Sequence, residues 1–109
     1  MKIFHKELAR GRWFNLSFAE QMANLGSEVE RTISWKKRSA EYGQNAFFRG
    51  LELLDLTISG SKNGTKLKEL CRLREILADY FYFDNEYRST NKSWHNYFFP
   101  FNYAVRRNY

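Results

Sequence analysis

Arg88 and His95 are the two side chains whose types and spacing could support catalysis together, with six residues between them. A histidine can exchange protons near neutral pH, and an arginine can stabilise the charge on a phosphate. The pair would suit cleavage of a phosphodiester, with His95 in acid–base chemistry and Arg88 on the phosphate. The alternative is an exposed pair at the junction between a loop and a helix, without a catalytic role.

The sequence offers few ligands for a metal ion. It contains one cysteine, Cys71, and two histidines, His5 and His95, whereas zinc usually takes three or four such ligands. A single cysteine also cannot form a disulfide within the chain. Because Cys71 lies in a stretch rich in leucine, we expect it to be buried and reduced. We expect neither a metal nor a cofactor.

The spacing of Arg88 and His95 resembles the arginine-to-histidine motif of HEPN-type ribonucleases, which are helical bundles that cut RNA at a dimer interface. A nucleophile elbow, a phosphate-binding glycine loop and a zinc signature are missing from the sequence. We therefore expect that the chain is not an enzyme, and a HEPN-like ribonuclease using Arg88 and His95 is the alternative.

Positive charge and aromatic rings stand out in the composition. Eighteen Lys and Arg against twelve Asp and Glu give a formal net charge of +6, and 18% of the residues are aromatic. Cations neutralise phosphates and rings stack on unpaired bases, so neighbouring cations and rings suit single-stranded RNA or DNA. Rings such as Trp13 and Trp35 could instead fill the core or a subunit contact. The residues predicted to bind nucleic acid are Arg10, Arg12, Lys36, Lys37, Arg38, Lys68, Arg72, Arg106 and Arg107.

Helices must position these side chains, and the first helix has the clearest signals. Ser17 and Glu20 have the spacing of a capping box, which predicts that a helix begins there and runs to about Lys37. Gly26 lies beside the apolar face of this helix and would let another helix approach closely. The apolar face, recurring at spacings of three and four, consists of Phe18, Met22, Leu25, Val29 and Ile33.

Three more helices are predicted after the first. One follows Ser39, the next runs from Thr65 to about Phe83, and the last begins after Thr90 or Ser93. Because short connections make consecutive helices neighbours, the predicted fold is an all-α, antiparallel four-helix bundle.

Two features complicate this plan. Pro100 should kink or break the last helix, because proline lacks an N–H and clashes with the preceding turn. Residues 1–16 are predicted to form a basic N-terminal arm, although Trp13 and Phe14 could pack over the end of the bundle. Residues 17–109 form the single four-helix domain of this prediction.

Aromatic residues crowd the last predicted helix. Tyr97, Phe98 and Phe99 follow one another about 100° apart around a helix, so they cannot all face one core. At least one should meet a second copy of the chain, which predicts a homo-oligomer. The predicted oligomer interface consists of Trp94, Tyr97, Phe98, Phe99 and Phe101.

Nothing in the sequence suggests a membrane protein. The first residues lack the continuous apolar run of a signal peptide, and no later stretch reaches transmembrane length without charges. We expect a cytoplasmic protein that does not associate with a membrane.

Residues 12–31, 51–57 and 67–75 resemble small helical proteins encoded near bacterial reverse transcriptases. The family is the accessory variability determinant (Avd) of diversity-generating retroelements, which forms a four-helix bundle. The resemblance covers most of residues 12–107 and implies a ring-like homo-oligomer, a pentamer, with a basic surface. Such a protein binds the reverse transcriptase and its template RNA and supports complementary DNA synthesis.

The family has no catalytic motif that could be transferred to this sequence. Pro100 is a departure, because it lies where a continuous final helix is expected. A structural oligomer, or an adaptor for protein interactions whose charge only maintains solubility, is the remaining alternative.

Overall fold

The computed structural model describes residues 11–60 and 64–107, and most of these residues are helical. A short 3-10 turn, Arg12–Asn15, precedes the main helices. The α-helices are α1 (Phe18–Lys36), α2 (Ala40–Gly60), α3 (Gly64–Tyr82) and α4 (Asn91–Arg107). An all-α fold with four helices is therefore confirmed for the described residues, among which no β-strand occurs.

The predicted capping residues begin two of these helices. The Ser17 hydroxyl accepts the backbone N–H of Glu20 at 3.1 Å, and the Glu20 carboxylate accepts the backbone N–H of Ser17 at 3.1 Å. Thr90 and Ser93 exchange the same pair of bonds, at 2.9 and 2.8 Å. Both exchanges satisfy backbone donors that a helix start leaves without intrahelical partners.

The predicted apolar face of α1 forms one wall of the core. Met22, Leu25 and Val29 are buried, while Phe18 and Ile33 are partly buried at its edges. The same core takes side chains from the other three helices: Phe47, Leu54, Leu70, Leu73, Leu77, Trp94 and Phe98. The core therefore draws on all four helices, which explains why each of them has an apolar face.

Gly26 marks the closest approach of two helices. A Cβ atom added at Gly26 would lie 2.8 Å from Cγ and 2.9 Å from Cβ of Phe98. Real Cβ atoms are essentially never so close to another atom, and the missing side chain is what lets α4 lie against α1. The close approach predicted at Gly26 is confirmed, and the residue that lies against it is Phe98.

Pro100 does not break α4. The helix continues through this residue to Arg107, and the Pro100 side chain is exposed. The missing N–H and the bulk of the ring therefore lie on the outer side of the helix, away from the core.

Residues 11–16 pack against the end of α2. Trp13 is 1% exposed, and its indole N–H donates to Oγ1 of Thr57 at 2.9 Å. Its backbone carbonyl accepts the Gln21 side chain at 3.0 Å. A Cβ on Gly60 would lie 2.6 Å from the ring of Phe14. Residues 1–10 of the predicted arm lie outside the described residues.

Cys71 is exposed, so the prediction that it is buried was wrong. Leu70, Leu73 and Leu77 form the buried face of α3. Cys71 follows Leu70 by one residue, which rotates it about 100° around the helix and away from the core. Its position within a leucine-rich stretch was therefore misleading.

Candidate nucleic-acid interface

The connection between α1 and α2 brings basic and aromatic side chains together. Only residues 37–39 separate the two helices. The Trp35 carbonyl accepts the backbone N–H groups of Arg38 and Ser39 at 2.9 and 2.8 Å, which closes α1. The Ser39 hydroxyl then accepts the N–H of Tyr42 at 3.3 Å, near the limit of a hydrogen bond, at the start of α2.

Gly43 holds this connection tight. A Cβ atom there would lie 3.1 Å from Cα and 3.2 Å from the backbone nitrogen of Lys36. The first turn of α2 therefore lies directly against the last turn of α1. The residues that this geometry gathers, here called the junction cluster, are Trp35, Lys36, Lys37, Arg38 and Tyr42.

The rings of the junction cluster are accessible. Trp35 is 38% exposed and Tyr42 is 56% exposed, and their ring centroids lie 5.2 Å apart in an edge-on arrangement. The guanidinium carbon of Arg38 lies 5.9 Å from the Trp35 ring centroid. An exposed ring beside an arginine offers a base a surface to stack on and offers the adjoining phosphate a positive charge.

Lys36 extends the junction cluster towards α3. Its ammonium lies 5.6 Å from the ring centroid of Phe81 and 6.0 Å from that of Tyr80. It also lines a groove of about 380 Å³ to which Phe81 and Tyr82 contribute. Among the described residues, no carboxylate forms an ion pair with Lys36, Lys37 or Arg38. Their charge is therefore available to an anionic partner.

The other predicted nucleic-acid-binding residues that the structure describes are exposed but do not join the junction cluster. Lys68 lies on α3, twelve residues before Tyr80, whose ring is near Lys36. Lys68 and Tyr80 are therefore about 18 Å apart along the axis of α3. Arg10 lies outside the described residues. The remaining predicted cations are spread over the 3-10 turn, α3 and the last turn of α4: Arg12, Arg72, Arg106 and Arg107.

The predicted oligomer interface needs correction at two positions. Trp94 is 4% exposed and Phe98 is 1% exposed, because both side chains pack inside the core of the chain itself. They have no surface to offer a second copy. Tyr97 and Phe101 are partly buried against the same core, whereas Phe99 is 54% exposed.

Tyr103 was not among the residues predicted to form the oligomer interface. It is 59% exposed and stacks on Phe99 with ring centroids 6.4 Å apart. The signal was available, because residues four apart lie on the same face of a helix. An exposed aromatic pair therefore lies on the outer face of α4.

Among the described residues, no hydrogen bond or ion pair joins Arg88 to His95. The His95 ring nitrogen Nδ1 lies 3.4 Å from a carboxylate oxygen of Glu30 on α1. Arg88 lies in the loop between α3 and α4 and lines a cleft beside α3. The two side chains thus have different neighbours, and a role for them in one catalytic site stays a prediction.

That cleft, which we call the α3–α4 cleft, contains a second group of side chains that could bind an anion. It has a volume of about 480 Å³, and Arg72 and Arg88 both contribute to its wall. Arg72 was predicted to bind nucleic acid, and Arg88 was predicted as part of a motif with His95. The two arginines were not predicted to lie together, because nothing in their spacing reveals the path of the loop.

Comparisons with protein-family models, curated proteins and solved structures find no match to this chain. No helix within residues 11–60 and 64–107 is long and apolar enough to span a membrane. The same residues contain no group of three or more His, Cys, Asp or Glu side chains placed to bind a metal ion.

Proposed function

We propose that this protein is a non-catalytic, oligomeric, cytoplasmic accessory protein that binds a reverse transcriptase and its template RNA. In this role it supports complementary DNA synthesis in a diversity-generating retroelement. The observation that supports nucleic-acid binding is the junction cluster, where three consecutive cations adjoin two exposed rings. The partner enzyme and the retroelement come from the resemblance to the Avd family.

The junction cluster suits single-stranded RNA better than a duplex. A stacking surface requires an unpaired base, and Trp35 and Tyr42 present ring area beside the Arg38 guanidinium. Neutralising phosphates releases counterions, so the interaction should weaken as salt rises. Sequence preference should be low, because every base has a face that can stack.

Oligomerisation would concentrate the remaining charges. The cations outside the junction cluster are dispersed on one chain, and a ring would repeat them around an axis to form a continuous basic surface. The exposed pair of Phe99 and Tyr103 supports a contact between copies, because stacked rings on an outer helix face are typical of interfaces. A pentamer follows from the resemblance.

We also infer an antiparallel bundle whose last helix bends at Pro100. The contacts between α1 and α4 run in opposite directions along the two helices, which supports this arrangement. Phe18 packs against Phe101 with ring centroids 5.9 Å apart, whereas Glu30, further along α1, meets His95, earlier in α4. The missing N–H of Pro100 supports the bend.

A pair of charge reversals tests the junction cluster. Lys37→Glu and Lys92→Glu each change the net charge by the same amount, and both lysines are exposed. Binding of a fluorescent single-stranded RNA is measured by anisotropy across salt concentrations. Lys37→Glu should weaken binding and reduce the salt slope by about 0.7, the value for one phosphate contact on a single strand. Lys92→Glu should change both quantities much less.

Equal losses in the two variants would show that only net charge matters and would reject the junction cluster as the binding surface. Circular dichroism must show that both variants are folded, because a glutamate at the end of α1 opposes the helix dipole.

The stacking surface has its own test. Trp35→Ala should weaken RNA binding by about 1–3 kcal/mol if a base stacks there. Phe83→Ala is the matched control, since Phe83 is 74% exposed and lies outside the junction cluster. If both variants bind RNA as well as the original protein, no base stacks on Trp35.

The oligomer and the partner enzyme need separate experiments. Light scattering should give a mass of several chains, and Phe99→Ser with Tyr103→Ser should lower it, while Phe83→Ser should not.

The polymerase is tested by co-purification with a reverse transcriptase encoded beside this gene. A toxin or nucleotidyltransferase gene in that place, or a complex with RNA that is insensitive to salt, would contradict the proposal.

A further inference from the structure

The α3–α4 cleft combines an apolar floor with aromatic and cationic walls. Leu73 and Ile76 of α3 form part of its floor, and Tyr87 and Tyr97 contribute rings. The polar groups around them come from Glu69, Arg72, Arg88, Ser89 and Ser93. A volume of about 480 Å³ is within the range of sites for small molecules.

The loop that carries Tyr87 and Arg88 is held by a buried carboxylate. Asp79 is 8% exposed, and its two oxygens accept the backbone N–H groups of Glu86 at 2.9 Å and Tyr87 at 3.0 Å. The Asn85 side chain donates to the Ser89 carbonyl at 2.9 Å and accepts the Ser89 N–H at 2.8 Å. The loop is therefore organised before any ligand arrives.

Arg88 has an unusual backbone conformation. Its φ is 54°, in the left-handed region of backbone conformation, which residues other than glycine and asparagine rarely adopt. The carbonyl of Asn85 accepts the Arg88 N–H at 3.0 Å, which helps to hold this conformation. Strain of this kind persists only where the surroundings impose it, and it concentrates at binding sites.

The charges of the cleft favour an anion. The side chains of Arg72 and Arg88 form no hydrogen bond or ion pair with another described residue. Among the described residues Glu69 is the one carboxylate lining the cleft, and one of its oxygens accepts the Tyr97 hydroxyl at 3.2 Å. Two guanidinium groups with free donors suit the oxygens of a phosphate.

Trp94 adds a polar group to the residues that line the cleft. It lines the cleft, and its indole nitrogen is a buried donor without a hydrogen-bond partner among the described residues. Leaving such a donor unsatisfied is unfavourable, and buried polar groups normally find a partner.

We infer that the α3–α4 cleft binds a nucleoside phosphate, with the phosphate between Arg72 and Arg88 and the base against Tyr87 or Tyr97 over the apolar floor. This inference is independent of RNA binding by the junction cluster, which lies on other residues. The nucleoside phosphate comes either from a free nucleotide or from the 5′-phosphorylated end of a strand.

Calorimetric titration of the full chain distinguishes these sources. The probes are the four nucleoside monophosphates, the unphosphorylated nucleosides, inorganic phosphate, and a short RNA with either a 5′-phosphate or a 5′-hydroxyl. Saturable binding of a monophosphate supports a free nucleotide. Binding of the 5′-phosphorylated RNA alone supports a strand end. Inorganic phosphate binding as tightly as a nucleotide, or no binding of any probe, overturns the inference.

Substitutions assign the binding to the cleft. Arg88→Gln should weaken binding of the nucleoside phosphate about tenfold or more, as expected for a lost charge-assisted hydrogen bond. Lys92→Gln, on the first turn of α4, is the control that should bind normally. Equal weakening in both variants overturns the inference.

Lys37→Glu separates this site from the junction cluster. It should leave nucleoside phosphate binding unchanged even if it abolishes binding of long RNA. If Lys37→Glu loses both RNA binding and nucleoside phosphate binding while circular dichroism shows an intact fold, the inference of a separate site in the cleft is overturned.

Discussion

Gly26 and Gly50 are both buried, and they should respond in opposite ways to the same substitution. Both lie inside helices, so replacement by alanine removes the same conformational entropy from the unfolded chain. Alanine is about 1 kcal/mol better than glycine in a helix interior. Any difference between the two variants therefore measures the space around the new methyl group.

At Gly50 the methyl group fits. Its nearest neighbours would be Cβ of Glu28 at 3.5 Å and Cδ1 of Leu25 at 3.8 Å, which are ordinary contact distances. Gly50→Ala should therefore stabilise the protein by about 1 kcal/mol.

At Gly26 the methyl group does not fit. The atoms at 2.8 and 2.9 Å are Cγ and Cβ of Phe98, which lie at the base of the side chain and cannot rotate away. Helix α4 must move outwards, and overpacking of a core costs about 1–3 kcal/mol. After the gain of about 1 kcal/mol in helix propensity is subtracted, Gly26→Ala should destabilise the protein by up to about 2 kcal/mol.

Thermal and urea unfolding of the two variants, side by side, measures this difference. The expected gap in the free energy of unfolding equals the overpacking cost, about 1–3 kcal/mol, which is on the order of 10 °C in the unfolding temperature for a chain of this length. If Gly26→Ala is as stable as Gly50→Ala, α4 does not approach α1 at Gly26, and the packing described above is wrong.

Three further predictions concern single interactions. Trp13→Phe removes the buried bond to Thr57 and should lower the free energy of unfolding by about 1–2 kcal/mol in urea titrations; no change would mean that residues 11–16 do not anchor on α2. Asp79→Asn replaces one of two acceptors of the α3–α4 loop and should cost about 1–3 kcal/mol, with faster hydrogen exchange of the two loop amides it binds. Burial, with the nearby charge of Glu69 and the bond to it, raises the pKa of Tyr97 above its ordinary value. This contribution to stability is present below about pH 10, where an unfolded tyrosine is protonated, and is lost as pH rises further. In an ultraviolet titration, one tyrosine should ionise after the others, and Tyr97→Phe should abolish that late step.

Local patterns in the sequence were sufficient to predict the helices. The capping exchange of Ser17 with Glu20 involves residues three apart, and the face of α1 from Met22 to Val29 follows from helical periodicity. These features depend on neighbours along the chain, so they can be seen before any tertiary contact is known. Gly26 likewise indicated a close approach, without indicating which residue would be its partner.

The assignment of aromatic residues to core or interface required the tertiary structure. Tyr97, Phe98 and Phe99 look alike in sequence, and only the position of α1 determines that Phe98 faces the core while Phe99 is exposed. Periodicity places residues on faces of a helix, but the packing of other helices decides which face becomes buried.

Of the two candidate sites, one could be predicted from the sequence and the other required the tertiary structure. The sequence alone identified Trp35, Lys36, Lys37 and Arg38 of the junction cluster, because these residues are consecutive. Tyr42 was not predicted, and the tight connection between α1 and α2 places it beside Trp35. The α3–α4 cleft depended on the tertiary structure, since Arg72 and Arg88 both line it because Asp79 fixes the intervening loop. A contact between residues far apart in the chain is determined by how the helices pack, and no local pattern encodes it.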